Sequence, residues 1–137
     1  MTQGPIQLRI GVLDDDPSVA QLNSLCLIAM GHFAAHYFSV PSMMNDLAYQ
    51  NFNAYLLDWS VGDVTARNLI AALRAVDDNA PIVVLSGHAA GSNDLCGRNI
   101  ALAAKDLRFI AFQKPTHIPH IAATLISAMP EARRKVA

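Results

Sequence analysis

The run Ile82-Val83-Val84-Leu85-Ser86 decides the fold. It is apolar without alternation and rich in β-branched residues. A strand with one wet face alternates polar and apolar residues, whereas an uninterrupted run belongs to a sheet covered on both sides, the signature of parallel strands. Turn residues bound it, DDNAP at 77–81 before and Gly87 after. Upstream, Leu69, Ile70, Leu73 and Val76 recur at helical spacing, predicting a helix over 65–76, and AYLL at 54–57 predicts a strand that closes on Asp58. Downstream, Gly87 and Gly91 loosen the chain before Ile100, Ala103, Ala104 and Leu107 mark the next helix. FIAFQ at 109–113 is then a strand stopped by Lys114-Pro115. A last helix carries Ile118, Ile121, Ala122, Leu125 and Met129, with Pro119 tolerated in its first turn.

The N-terminal third repeats the alternation. LRIGVL at 8–13 reads as a strand. After it, Val19, Leu22, Cys26 and Ala29, thickened by Leu25, suggest the buried face of a helix that Pro17 opens and Gly31 ends. AAHYF at 34–38 suggests a second strand, and Ser42 to Tyr49 a short helix capped by Ser42. Strand and helix thus alternate five times. Right-handed crossovers then give a doubly wound parallel sheet with helices on both faces and a ligand site beyond the C-terminal strand ends.

Bulk composition fits one domain, 1–137 with its core at 8–129. The chain is 53% hydrophobic and 15% charged, which excludes wholesale disorder. Ten basic against eleven acidic residues leave a net charge of −1, without the basic excess of a nucleic-acid binder. The Arg133-Arg134-Lys135 run reads as a solvated terminus. Cys26 and Cys96 make no disulfide framework, and Cys26 is expected in the core. There is no membrane-length apolar run and no signal-peptide layout, so a cytoplasmic protein without membrane contact is expected.

The polar residues that close the strands converge on one edge: Asp14, Asp15 and Asp16, then Asp58, Ser86 and Lys114. Strand ends are polar in any protein because they meet solvent. Four ends bearing this set carry more weight. Carboxylates tolerate such crowding around a hard divalent cation, Mg²⁺ being held by one or two carboxylates plus waters, with a lysine offsetting remaining charge.

The combination VLDDDP at 12–17, LLD at 56–58, VVLSG at 83–87 and QKP at 113–115 resembles the receiver domain of two-component response regulators. The resemblance covers about residues 8 to 129 and implies a flavodoxin-like (βα)5 fold with strand order 2-1-3-4-5. It implies that Asp58 accepts a phosphoryl group from a histidine kinase, a phosphotransfer protein or a small phosphodonor. Asp15 and Asp58, with the backbone carbonyl of Ser60, would bind Mg²⁺, and Asp14 would act through a metal-bound water. Ser86 and Lys114 would hold phosphoryl oxygens. Asp16 is assigned no metal role and is expected at the helix start, facing the positive end of the dipole. Transfer would need mainly positioning and charge neutralisation, and the added oxygens would pull Ser86 and Lys114 inward.

Several features depart from the family. Its members commonly carry Tyr or Phe three residues before the lysine, where this chain has Ala111. Alternation turns Phe112 to the opposite face, so output is expected through backbone shifts after Ser86. The stretch from Ser86 to Lys114 exceeds the common spacing by roughly six residues. Its wording, LSGH…ALAAKDLRFIAFQKP, looks like receivers associated with cyclic-di-GMP phosphodiesterase proteins. The loop WSVGDVTA at 59–66 has Gly62 where a proline is usual and Ala66 where a glycine is usual, which would strain Ala66 if φ there were positive. Ser60 and His88 stand at positions that, in the family, influence loss of the phosphoryl group, although an exposed loop histidine need have no role. Trp59 reads as packing.

The chain is therefore expected to be a stand-alone signalling module that turns over no external substrate. It would act on an unidentified downstream protein or as a homodimer through its fourth helix, fifth strand and fifth helix, where Ala123 and Ala128 are expected at the surface. A pseudo-receiver that binds partners without phosphorylation is the alternative. A small Mg²⁺-dependent phosphatase is a third, but Ser18 stands where its D-x-D-x-T pattern needs threonine. No nucleotide-binding glycine loop occurs either.

Overall fold

The computed structural model describes residues 6–88, 91 and 93–134. The elements run β1 (Arg9–Leu13), α1 (Pro17–Ala29), β2 (Phe33–Tyr37), α2 (Val40–Asp46), β3 (Ala54–Asp58), β4 (Ser60–Val61) and β5 (Val64–Thr65). They continue with α3 (Arg67–Val76), β6 (Ile82–Ser86), α4 (Leu95–Leu107), β7 (Ile110–Gln113), α5 (Ile118–Ala128) and α6 (Glu131–Arg134). Five strands form one parallel sheet in the order β2-β1-β3-β6-β7. Counting only these five, that is the expected flavodoxin-like order 2-1-3-4-5. The extra two strands are a small antiparallel hairpin, β4–β5, turned by Gly62 at φ 63°. The helix α6 was also not foreseen.

Period-two alternation divides each central strand between two cores. Leu57, Ile82 and Val84 face one cluster with Met43 of α2, Leu69, Ile70 and Leu73 of α3, and Ile100 and Ala103 of α4. Leu56, Val83 and Leu85 face the other, with Leu27 of α1 and Ile121, Ala122 and Leu125 of α5. Each of the larger of these side chains contributes about 1.5–3 kcal/mol when fully buried. The run at 82–86 is buried at every position, as its apolar monotony requires. Val76 ends its helix 85% exposed, so the apolar face expected of α3 stops at Leu73.

Two local expectations need correction. The buried face of α1 is Ala20, Ser24 and Leu27, while Leu22 and Leu25 are 61% and 62% exposed and Cys26 is only half-buried. This helix has no charged residue, so its sequence does not mark a wet side. The small Ala20 and Ser24 fit against the sheet instead, Ser24 Oγ donating to the Ala34 carbonyl at 3.4 Å. Helix α2 starts earlier than expected, capped by Ser39, whose hydroxyl accepts from the Ser42 amide at 3.2 Å. Ala66 is unstrained at φ −74°, because Gly62 takes the left-handed position in that loop.

Candidate functional site

Register brings the carboxylates together. Leu13 of β1 lies beside Leu57 of β3, so the next residues, Asp14 and Asp58, emerge level from adjacent parallel strands. Such strands are only about 4.8 Å apart. One carboxylate oxygen from each of Asp14, Asp15 and Asp58 falls within 4.8 Å of the others. Asp14 and Asp58 are buried and Asp15 is exposed at the rim. Lys114, one residue past β7, reaches across the sheet edge and places Nζ 3.2 Å from Asp14 Oδ2 and 3.3 Å from Asp58 Oδ1.

Backbone amides fix the acids further. Asp14 Oδ1 accepts from the Asp16 amide at 3.0 Å, and Asp15 Oδ2 accepts from the Gly62 amide at 2.9 Å. The second contact ties the β4–β5 turn to the acid cluster across 47 residues of sequence. Asp16 stands outside the cluster as the N-cap of α1, its carboxylate accepting from the Ser18 amide at 3.0 Å and the Ser18 hydroxyl at 2.7 Å. The Ser18 hydroxyl and amide bonds hold its carboxyl below the usual range.

Burial, then the neighbouring Asp14 charge, push the Asp58 carboxyl up to about 6, with Lys114 pulling the other way. Burial works against the Lys114 ammonium, but Asp58 and Asp14 outweigh it and raise its pKa, so Lys114 stays charged. One ammonium against three carboxylates leaves negative charge unmatched. This hard oxygen donor set fits a divalent cation such as Mg²⁺.

Ser86 closes β6, buried, and its Oγ accepts from the His88 amide at 3.0 Å. The Lys114 amide donates to the Ser86 carbonyl at 2.7 Å, joining the last two strand ends. Ser60 is exposed at the start of β4, two residues beyond Asp58. His88 Nδ1 lies 3.4 Å from Asp94 Oδ2, and the other carboxylate oxygen of Asp94 caps α4 by accepting from the Gly97 amide. This chain from Ser86 to the start of α4 was missed in the sequence, as was the Gly62 contact, because both depend on loop paths that residue types do not encode. Ala111 packs towards the α3–α4 side and Phe112 towards the α1–α5 side, as alternation predicts. Trp59 is buried against Phe109, ring centroids 5.9 Å apart.

No family model matches the sequence, and no curated protein does. Solved structures do match in fold. A CheY-like response regulator receiver domain protein from Methanospirillum hungatei JF-1 superposes with a TM-score of 0.78 at 14% identity, covering 96% of this chain and 100% of its own. The chemotaxis response regulator CheY4 of Vibrio cholerae gives 0.74 at 16% identity, over 90% and 100% of the two chains. A response regulator protein from Burkholderia pseudomallei, solved with a phosphorylated aspartic acid, calcium ion and citrate, gives 0.76 at 21% identity, over 95% and 71%. The chain has the flavodoxin-like α/β fold of these receiver domains.

Proposed function

We propose that the chain is a phosphoacceptor receiver in which Asp58 takes a phosphoryl group from a histidine kinase or phosphotransfer protein. The observation that carries this is Lys114 bridging Asp14 and Asp58 while Asp15 completes a three-carboxylate cluster. Asp15, Asp58 and the Ser60 carbonyl would hold Mg²⁺, with Asp14 acting through a bound water. The cation would neutralise charge developing on the phosphoryl oxygens.

The rest falls to the chain's own residues. An ionised Asp58 oxygen attacks phosphorus. The phosphorus–nitrogen bond of the donor phosphohistidine breaks and its electron pair leaves with the imidazole. Lys114, already 3.3 Å from Asp58, pairs with one phosphoryl oxygen. Ser86 Oγ gives up its place as acceptor for His88 and turns its hydroxyl proton to another. Water later attacks the acyl phosphate, returning Asp58 and releasing inorganic phosphate. No external substrate is turned over. The altered surface changes affinity for a downstream protein, or for a second copy across α4, β7 and α5, where Ile110, Ala123 and Ala128 are exposed. Within this class we read the wording LSGH at 85–88 and ALAAKDLRFIAFQKP at 101–115 as that of receivers associated with cyclic-di-GMP phosphodiesterase proteins.

Incubation with Mg²⁺ and acetyl phosphate tests the reading. Intact mass should rise by one acid-labile phosphoryl group, and Asp58→Asn should abolish the gain. A wild-type chain that folds, binds Mg²⁺ and never gains the group would instead be a pseudo-receiver.

A further inference from the structure

Beside the acid cluster, a groove of ≈ 690 Å³ runs between the β4–β5 hairpin with the start of α3 on one side and α4 on the other. Trp59, Arg67, Leu95, Asn99 and Leu102 line it, and Ser60 and Thr65 add hydroxyls. Three features mark it as built to be covered. Leu95 and Leu102, two turns apart on one face of α4, are 67% and 68% exposed. Trp59 is 96% buried, its exposure being 4%, yet among the described residues its indole N–H has no hydrogen-bond partner. A buried donor without an acceptor is costly. Finally, among the described residues no acidic side chain lines the groove. Its lining includes an indole, an amide, two hydroxyls and a guanidinium, all able to donate hydrogen bonds.

Donors set beside apolar surface select an occupant with apolar side chains and carboxylates. We propose that this groove docks an amphipathic helix of a partner protein, one that inserts leucine-like side chains against Leu95 and Leu102 and offers an acidic residue to Arg67. Arg67 is free to exchange for it: its present partner, Asp106, sits at 3.1 Å in a surface pair with both side chains about half exposed or more. Such pairs contribute little. The uncharged stripe on α1 lacks this selectivity, offering no charged group to orient a ligand.

The groove is also joined to the acid cluster at both walls. Trp59 follows Asp58 directly, and Leu95 follows Asp94, which His88 links to Ser86. Resting on the receiver reading, docking and phosphorylation of Asp58 therefore alter each other by the same factor.

A displayed library of helical peptides, selected on the full chain, tests this. Enriched peptides should pair Leu, Ile or Phe at i, i+4 with Asp or Glu and change the emission of Trp59, the single tryptophan. Leu102→Ser, a surface change, and Arg67→Gln should each weaken binding about tenfold, while Leu22→Ser on α1 should not. Peptides without that pattern, or binding indifferent to Leu102→Ser, would overturn the groove. So would a dimer of this chain that Leu102→Ser disperses, since the occupant would then be a second copy. Equal peptide affinity for phosphorylated and unmodified chain would overturn the coupling. Failure to label Asp58 would count against the receiver reading alone, leaving docking to be decided by Leu102→Ser.

Discussion

Asp58 is held in a state the fold disfavours. Its carboxyl titrates near 6 in the folded chain against 3.8 for an ordinary aspartate, because burial and the Asp14 charge both resist ionisation. The folded state therefore binds this proton more tightly than the unfolded state. Its contribution to stability falls as pH rises from about 4 to about 6, and the full cost of ionisation, on the order of 3 kcal/mol, stands above that window. In metal-free buffer Asp58→Asn should be more stable than wild type at pH 7 by about that amount, and no more stable near pH 4. Denaturant titrations at the two pH values decide it, and an equal gap at both would refute the cause given. His32 acts in the opposite sense. Its Nδ1 accepts from the Leu8 amide at 3.0 Å, and burial lowers its pKa. The unfolded state then takes up the extra proton first, so this contribution is present above about pH 6.5 and fades as pH falls through the folded value. His32→Ala should cost about 1–3 kcal/mol at pH 7.5 and less at pH 5, read from the same titrations. The two groups oppose each other, so the wild-type pH profile should be flatter than either variant's.

At the scale of elements, what the sequence reveals depends on contrast between neighbouring residues. The strands at 54–58 and 82–86 are legible because uninterrupted apolar runs can only be buried on both faces. Asp14, Asp58 and Ser86 are legible for the complementary reason, being the first polar residues after such runs, and Lys114 comes one residue after Gln113 at the end of its own strand. Helix α1 is different: without a charged residue it gives periodicity nothing to separate, and the buried side is set by size against the sheet. That assignment can be checked. Leu25→Gln should change stability by less than about 0.5 kcal/mol, whereas Leu27→Gln, fully buried, should cost more than about 2 kcal/mol in a denaturant titration. Gly11 shows another contact invisible in a linear string. A Cβ there would sit 2.6 Å from Met43 Cε and 3.2 Å from the rings of Phe52 and Tyr55, so a side chain at this position would have to displace the end of Met43 and press on both rings. Gly11→Val should cost about 1–3 kcal/mol by overpacking, and simultaneous Met43→Ala should return part of it, a coupling that a double-mutant cycle measures.

Across the whole molecule, the sheet edge is both the candidate site and a place where stability is given up. β1, β3, β6 and β7 each contribute a residue there, so whatever neutralises the acids also draws four strand ends together. A divalent cation that binds only the folded chain should stabilise it as RT ln(1 + [L]/Kd), about 2.7 kcal/mol at a hundredfold excess over Kd, which is roughly 8 °C in the thermal midpoint for a chain of this size. Mg²⁺ should produce that rise in the wild type. Asp15→Asn should remove most of it, because Asp15 is the exposed member of the cluster and its loss leaves the buried pair and Lys114 in place. Leu102→Ser, which lies on the far wall of the groove, should keep the whole rise. The order of effects matters more than their size. If Asp15→Asn, Asp58→Asn and wild type all gained equally, the cation would be binding elsewhere on the surface, and convergence of the three carboxylates would have to be explained by Lys114 alone. If Asp58→Asn abolished the rise while Asp15→Asn kept it, the cation would be held by the buried pair and the tie from Gly62 to Asp15 would be purely structural. Only loss in both variants is consistent with one cation shared between the rim and the floor of the site, the arrangement that the proposed phosphoryl transfer to Asp58 requires.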